Sequence, residues 1–177
     1  MGLIIKKGNY NMAYEMDTYK RGTAGNPEPN IYTMTAPLLD EGRSNTALSH
    51  TANMWATLKV YASGGENGLH AHTSEDHTFV VLSGSAKYHG KNGEIGEVGP
   101  LQGIMIPARA YYWFEATSSE PLVMLRIGSR TSWQDPSGRI NINGEDMPGD
   151  SPENKQGPVR VRDGAFFGPS PSVRKEL

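Results

Sequence analysis

The chain has 177 residues, a length that favours one domain with a sizeable core. Its formal charge of −2 argues against nucleic-acid and anionic-membrane partners, and the absence of cysteine excludes disulfides, thiolate catalysis and Cys-ligated metal sites. No apolar run approaches the ~18–20 residues of a membrane span, and Met1 to Arg21 has no apolar signal core, so a cytoplasmic protein is expected.

Glycine is abundant, 21 residues against a usual ~7%. It is scattered between short apolar segments, which reads as turn-rich β composition. Residues 1–45 are polar and irregular, broken by Gly25-Asn26-Pro27-Glu28-Pro29, and are expected to form an N-terminal arm. From Met54 to Ala62 the sequence alternates, with Met54, Ala56, Leu58, Val60 and Ala62 on one face of a strand. His77 to Ser83 is a second strand, closed by Gly84. Lys87-Tyr88-His89 leads into Asn92-Gly93, a hairpin signal. Ile104 to Ile106, Tyr111 to Glu115 and Leu122 to Ile127 complete at least six short strands. That spacing predicts an all-β sandwich or barrel over residues 46–130. Beyond it, residues 131–177 form a Pro- and Gly-rich C-terminal arm. Its apolar groups Val159-Arg160-Val161 and Ala165-Phe166-Phe167 are expected to dock on the barrel or on a partner subunit.

Three of five histidines, His70, His72 and His77, fall within eight residues. On a strand, residues i and i+2 point to the same face, so His70 and His72 aim together. His77 opens the next strand and can face back toward them. Three imidazoles at a barrel mouth fit a transition-metal site with open positions; surface histidines in a polar loop are the alternative. His50 and His89 are read as structural.

Gly64-(five residues)-His70-Ala71-His72-(four)-His77-(six)-Gly84 resembles the first motif of the cupin superfamily, with His77 where that pattern has glutamate. Glu75 and Asp76 are nearby carboxylates, but the spacing back from Gly84 selects position 77. The second cupin motif aligns through Pro107. Leu101 and Arg109 then stand at its two glycines, Tyr112 at its histidine ligand and Ala116 at its asparagine.

The resemblance covers about residues 54–130 and implies a single cupin-type, jelly-roll-like β-barrel. It also implies a divalent metal on His70, His72 and His77: Fe(II) first, with Zn(II), Mn(II) or Ni(II) as alternatives. Tyr112 faces that metal as the candidate catalytic residue, able to ligate it, donate to substrate or act as acid or base; a barrel-lining aromatic is the alternative. Arg109 and Arg126 are candidate substrate-binding residues, and an inward Arg126 needs an anionic partner. Phe79 and Phe114 are candidates for the substrate wall or the core. The expected function is a metal-dependent dioxygenase acting on a small oxygenated substrate. The alternatives are a metal-dependent isomerase, cyclase or lyase, and a non-catalytic cupin that binds a small ligand. A homodimer is implied by the same resemblance.

Overall fold

The computed structural model describes residues 29, 31–51, 53–63, 66–130, 138–149, 154 and 158–169. Gly64 of the first motif and much of both expected arms lie outside the described residues. Among the described residues every regular element is a strand: β1 (Ala36–Glu41), β2 (Arg43–His50), β3 (Met54–Tyr61), β4 (Ala71–His72), β5 (Glu75–Ser83), β6 (Ala86–Gly90), β7 (Gly93–Val98), β8 (Gly103–Ile106), β9 (Tyr112–Ala116), β10 (Leu122–Arg130), β11 (Arg139–Ile140) and β12 (Arg160–Phe167).

A five-stranded sheet runs β2-β3-β10-β5-β8 and a three-stranded sheet runs β7-β6-β9. Tyr61, Phe79 and Met124 of the first sheet share one buried cluster with Tyr88, Tyr112 and Phe114 of the second. The two sheets therefore face one another across that cluster, a jelly-roll-like arrangement in which hydrogen bonds do not close one continuous barrel. The hairpin signal falls on the β6–β7 turn, where Gly90 pairs with Gly93 and Gly93 takes a φ of +112°.

The alternation of β3 divides the molecule into layers. Leu58 and Val60 point to a second cluster, with Ala36, Leu39 and Val123, on the outer side of the five-stranded sheet. β1 and β12 pair over that side, and Val159 and Phe167 pack against the cluster. Chain from both expected arms thus contributes to the fold: β2 is an edge strand of the main sheet, and β11 pairs with β4. The opposite parity of β3 belongs to the inter-sheet space, where Tyr61 is fully buried and Lys59 is 8% exposed.

Among the described residues, Leu101 and Arg109 are the non-glycine residues with positive φ, at 64° and 68°. These are the two positions where the second cupin motif has glycine. A Cβ in that left-handed region costs about 1–2 kcal/mol, and Leu101 has little packing to offset it, being 87% exposed. Leu101→Gly should therefore stabilise the protein by about 0.5–1 kcal/mol after the greater chain entropy of glycine is counted. Denaturant unfolding with an unchanged m-value checks this; a lower midpoint would contradict it.

Candidate metal centre

β4 and β5 are joined by only Thr73 and Ser74, so the side chains of the His-x-His strand stay beside the start of the next. Backbone bonds fix the far side. His70 N donates to Tyr112 O at 3.2 Å and Tyr112 N donates to His70 O at 2.9 Å, which brings the two rings to 4.6 Å between centroids. Arg109 N donates to His72 O at 2.7 Å, and Ala108 N donates to the Asp76 carboxylate at 2.7 Å. Asp76 is thereby a structural acceptor on the other face of β5.

Glu75 shares the parity of His77, and its Oε2 lies 3.1 Å from both His72 Nδ1 and His77 Nε2. Their ligand atoms all fall within 4.8 Å of one another. His70 stands outside that trio, with its ring 5.3 Å from that of His72. Its Nδ1 must donate to the Gly68 carbonyl at 2.7 Å, which fixes the tautomer and leaves Nε2 with the lone pair. The Tyr112 hydroxyl lies 3.5 Å from His77 Nδ1. Of the three histidines expected to converge, His72 and His77 lie together and His70 stands apart, while the structure adds a carboxylate that the spacing argument passes over. The missed signal is simple: residues 75, 77, 79 and 81 share one face once the strand begins at Glu75.

Arg126 points inward. Its Nη2 is 2.7 Å from His77 Nε2 and 3.8 Å from Glu75 Oε2, so Glu75 is the anionic partner that an inward arginine requires. One proton at His77 Nε2 cannot serve both neighbours: a hydrogen there satisfies Glu75, while a lone pair there satisfies Arg126. A divalent cation held by His77 and Glu75 would supply the positive charge that both acceptors lack. Arg109 turns away from this group, its Nε donating to the Thr73 carbonyl at 3.4 Å on an exposed rim. Phe79 and Phe114 are buried in the inter-sheet cluster, and both reach a cavity of about 140 Å³ that His70, His72, Tyr112 and Arg126 also line. The structural reading of His89 agrees with its stacking on Trp113, 4.2 Å between centroids, and its contact with Glu115.

Electrostatics favour neutral imidazoles. Burial holds His70 at a pKa of about 2 and His77 at about 3, and lowers His72 as well. Burial would raise Glu75, but the hydrogen bonds from His72 and His77 together outweigh it and keep the carboxyl well below its ordinary range. Burial raises Tyr112, so its hydroxyl stays protonated at neutral pH. Deprotonated imidazoles beside an ionised carboxylate are the donor set that first-row transition metals accept with positions left open. The residues present therefore fit a divalent metal.

Fold and site together define the class. Residues 57–128 match the family described as "Cupin domain", and this stretch of the chain is a cupin domain. KdgF from a Halomonas species is similar in fold at 13% identity, covering 60% of this chain and 98% of that one, with a TM-score of 0.50. A conserved protein with a double-stranded β-helix domain from Klebsiella pneumoniae is 19% identical, covering 59% and 93%, with a TM-score of 0.48. A cupin superfamily protein from Desulfitobacterium hafniense is 17% identical, covering 59% and 84%, with a TM-score of 0.42. No curated protein matches the chain in sequence.

The lowered histidine pKa values set an acid limit to stability. An unfolded imidazole takes up its proton near 6.5, whereas folded His70 and His77 remain neutral down to about 2 and about 3. Across that window the unfolded chain binds more protons, so stability falls as pH falls. The melting temperature of metal-free protein should drop steadily from pH 6.5 toward about 4. His77→Gln, which does not titrate, should give a shallower slope in the same scan. Equal slopes would show that His77 does not contribute.

Proposed function

We propose that this protein is a metal-dependent cupin enzyme that acts on a small oxygenated organic substrate, with dioxygenation as its reaction. The observation that carries the reading is the convergence of His72, Glu75 and His77, with ligand atoms within 4.8 Å, beside a cavity that His70, His72 and Tyr112 line. Two imidazoles and one carboxylate form the ligand type of non-haem Fe(II) oxygenases, which is why Fe(II) is placed ahead of Zn(II), Mn(II) and Ni(II). Bound there, the metal would supply Lewis acidity and, as Fe(II), activation of O2.

The chain's own residues would do the rest. His70, its tautomer fixed by Gly68, presents Nε2 as a further donor. Tyr112 holds a proton on its hydroxyl beside His77 Nδ1, where it can donate to a substrate oxygen. Phe79 and Phe114 give the cavity an apolar wall that limits water. The neutral His77–Tyr112 pair also suits metal-assisted isomerisation, cyclisation or lyase chemistry, which would proceed without O2 uptake. A homodimer belongs to the same reading: β8 is an edge strand, and Met105 on it is 65% exposed.

Protein purified anaerobically should carry one divalent metal per chain by elemental analysis. His72→Ala and Glu75→Gln should each lower metal affinity by tenfold or more, with the far-UV spectrum unchanged because the buried cluster lies elsewhere. Full metal occupancy in both variants would reject the site. O2 consumption with diketone, enol or phenolic substrates then separates dioxygenation from the proton-transfer chemistries.

A further inference from the structure

The wall of the same cavity carries a second kind of chemistry. Arg43, Lys59, Arg126 and Arg139 all line it, and no aspartate or glutamate does. Arg126 is compensated by Glu75. Among the described residues Lys59 and Arg139 have no carboxylate within ion-pair distance. Lys59 Nζ donates to the Asn45 amide oxygen at 2.6 Å, and Arg139 Nη2 donates to the Asn154 amide oxygen at 3.3 Å. Both partners are neutral.

Lys59 is buried and Arg139 partly so, at a cost. Lys59 is 8% exposed, and its burial, with Arg126, Arg43 and Arg139 nearby, pushes its pKa well below the ordinary 10.5. A buried charge without a counter-charge destabilises a fold, and replacing it with an apolar residue of similar shape is commonly stabilising. The cavity is also rich in donors that lack an acceptor. The Tyr61 hydroxyl is fully buried with no partner, and so are Arg126 Nε and Arg139 Nε. Lys59 uses one of its three hydrogens on Asn45. Spare donors and uncompensated positive charge on one wall call for a ligand that brings acceptors and negative charge.

We infer that this cavity binds a small organic dianion, its anionic groups held by Lys59 and Arg139 and its carbon body laid against Phe79 and Phe114. This deepens the proposed function by naming the substrate class and rests on that reading for the chemistry that follows binding. Two negative charges match the two cations that lack a carboxylate. The volume of about 140 Å³ is close to the ~150 Å³ that accommodates a benzene molecule, so the body is short. Carboxylates and a phosphate group share this chemistry, and both accept charge-assisted hydrogen bonds from lysine and arginine.

Titration calorimetry with malonate, inorganic phosphate and acetate tests the inference on the full chain, before and after chelator treatment. Malonate should bind once per chain in the chelated protein, at least tenfold more tightly than acetate. A preference for inorganic phosphate over malonate would assign the charge to a phosphate group, and the reverse to carboxylates. Lys59→Met and Arg139→Gln should each weaken dianion binding by about ten- to a hundredfold, the loss expected for one hydrogen bond between charged groups. Lys59→Met should melt at or above the parent, which separates lost binding from lost folding. Absence of dianion binding at millimolar concentration, or unchanged affinity in both variants, overturns the inference. Dianion binding without metal uptake would overturn the metal reading alone, and metal uptake without dianion binding would overturn this one alone.

Discussion

Glu75 Oε2 sits 3.1 Å from two imidazole nitrogens, and the polar side of the inter-sheet cavity is organised around that shared carboxylate. It is the negative group that meets Arg126 from β10, it holds His72 and His77 at one side of the cavity, and its ionisation is secured by the hydrogen bonds it accepts. Carboxylic burial of this kind is unfavourable unless the lone pairs are filled. The surrounding strands supply the filling: β4 brings His72, β5 brings His77, and β10 brings the guanidinium. Removing the carboxylate would leave the Arg126 guanidinium without its anionic partner.

Much of the fold was legible because strand parity is strict. The alternation of β3, the Asn92-Gly93 turn and the apolar run of β5 each correspond to an observed element. The spacing from His70 to Gly84 pointed to the cupin domain before any geometry was known. Two parts were hidden. Glu75 looked like a member of a polar turn, because Thr73-Ser74-Glu75-Asp76 is uniformly polar and nothing local shows that the strand begins at its third residue. Lys59 was hidden by the rule that the apolar face of a strand is the interior face. In β3 that face packs outward, under the cover of β1 and β12, while the polar parity lines the space between the sheets. A two-layer protein has two insides, and the composition of one strand does not say which is which.

The departures from the second cupin motif also have a physical reading. Leu101 and Arg109 both take a left-handed backbone at positions where the motif has glycine, the residue that adopts it without strain. At Arg109 the added side chain is used, since it reaches the Thr73 carbonyl and ties the β8–β9 turn to the β4–β5 turn. At Leu101 the side chain is exposed and makes no comparable bond. Both turns thus take a conformation natural to glycine with a side chain in place, which is used at one position and idle at the other.

Arg139 reaches the cavity from a two-residue strand whose partner, His72, lies far upstream in the chain. β11 is held by its pairing with β4, by bonds from Thr73 N to the Gly138 carbonyl at 3.0 Å and from Gly138 N to the Thr73 hydroxyl at 3.1 Å, by the Ile140–Asp146 bridge, and by Met147 N donating to the Arg139 carbonyl at 2.8 Å. One wall of the cavity is therefore supplied by a distant stretch of chain, and any ligand that neutralises the guanidinium it carries adds its binding free energy to the stability of that pairing.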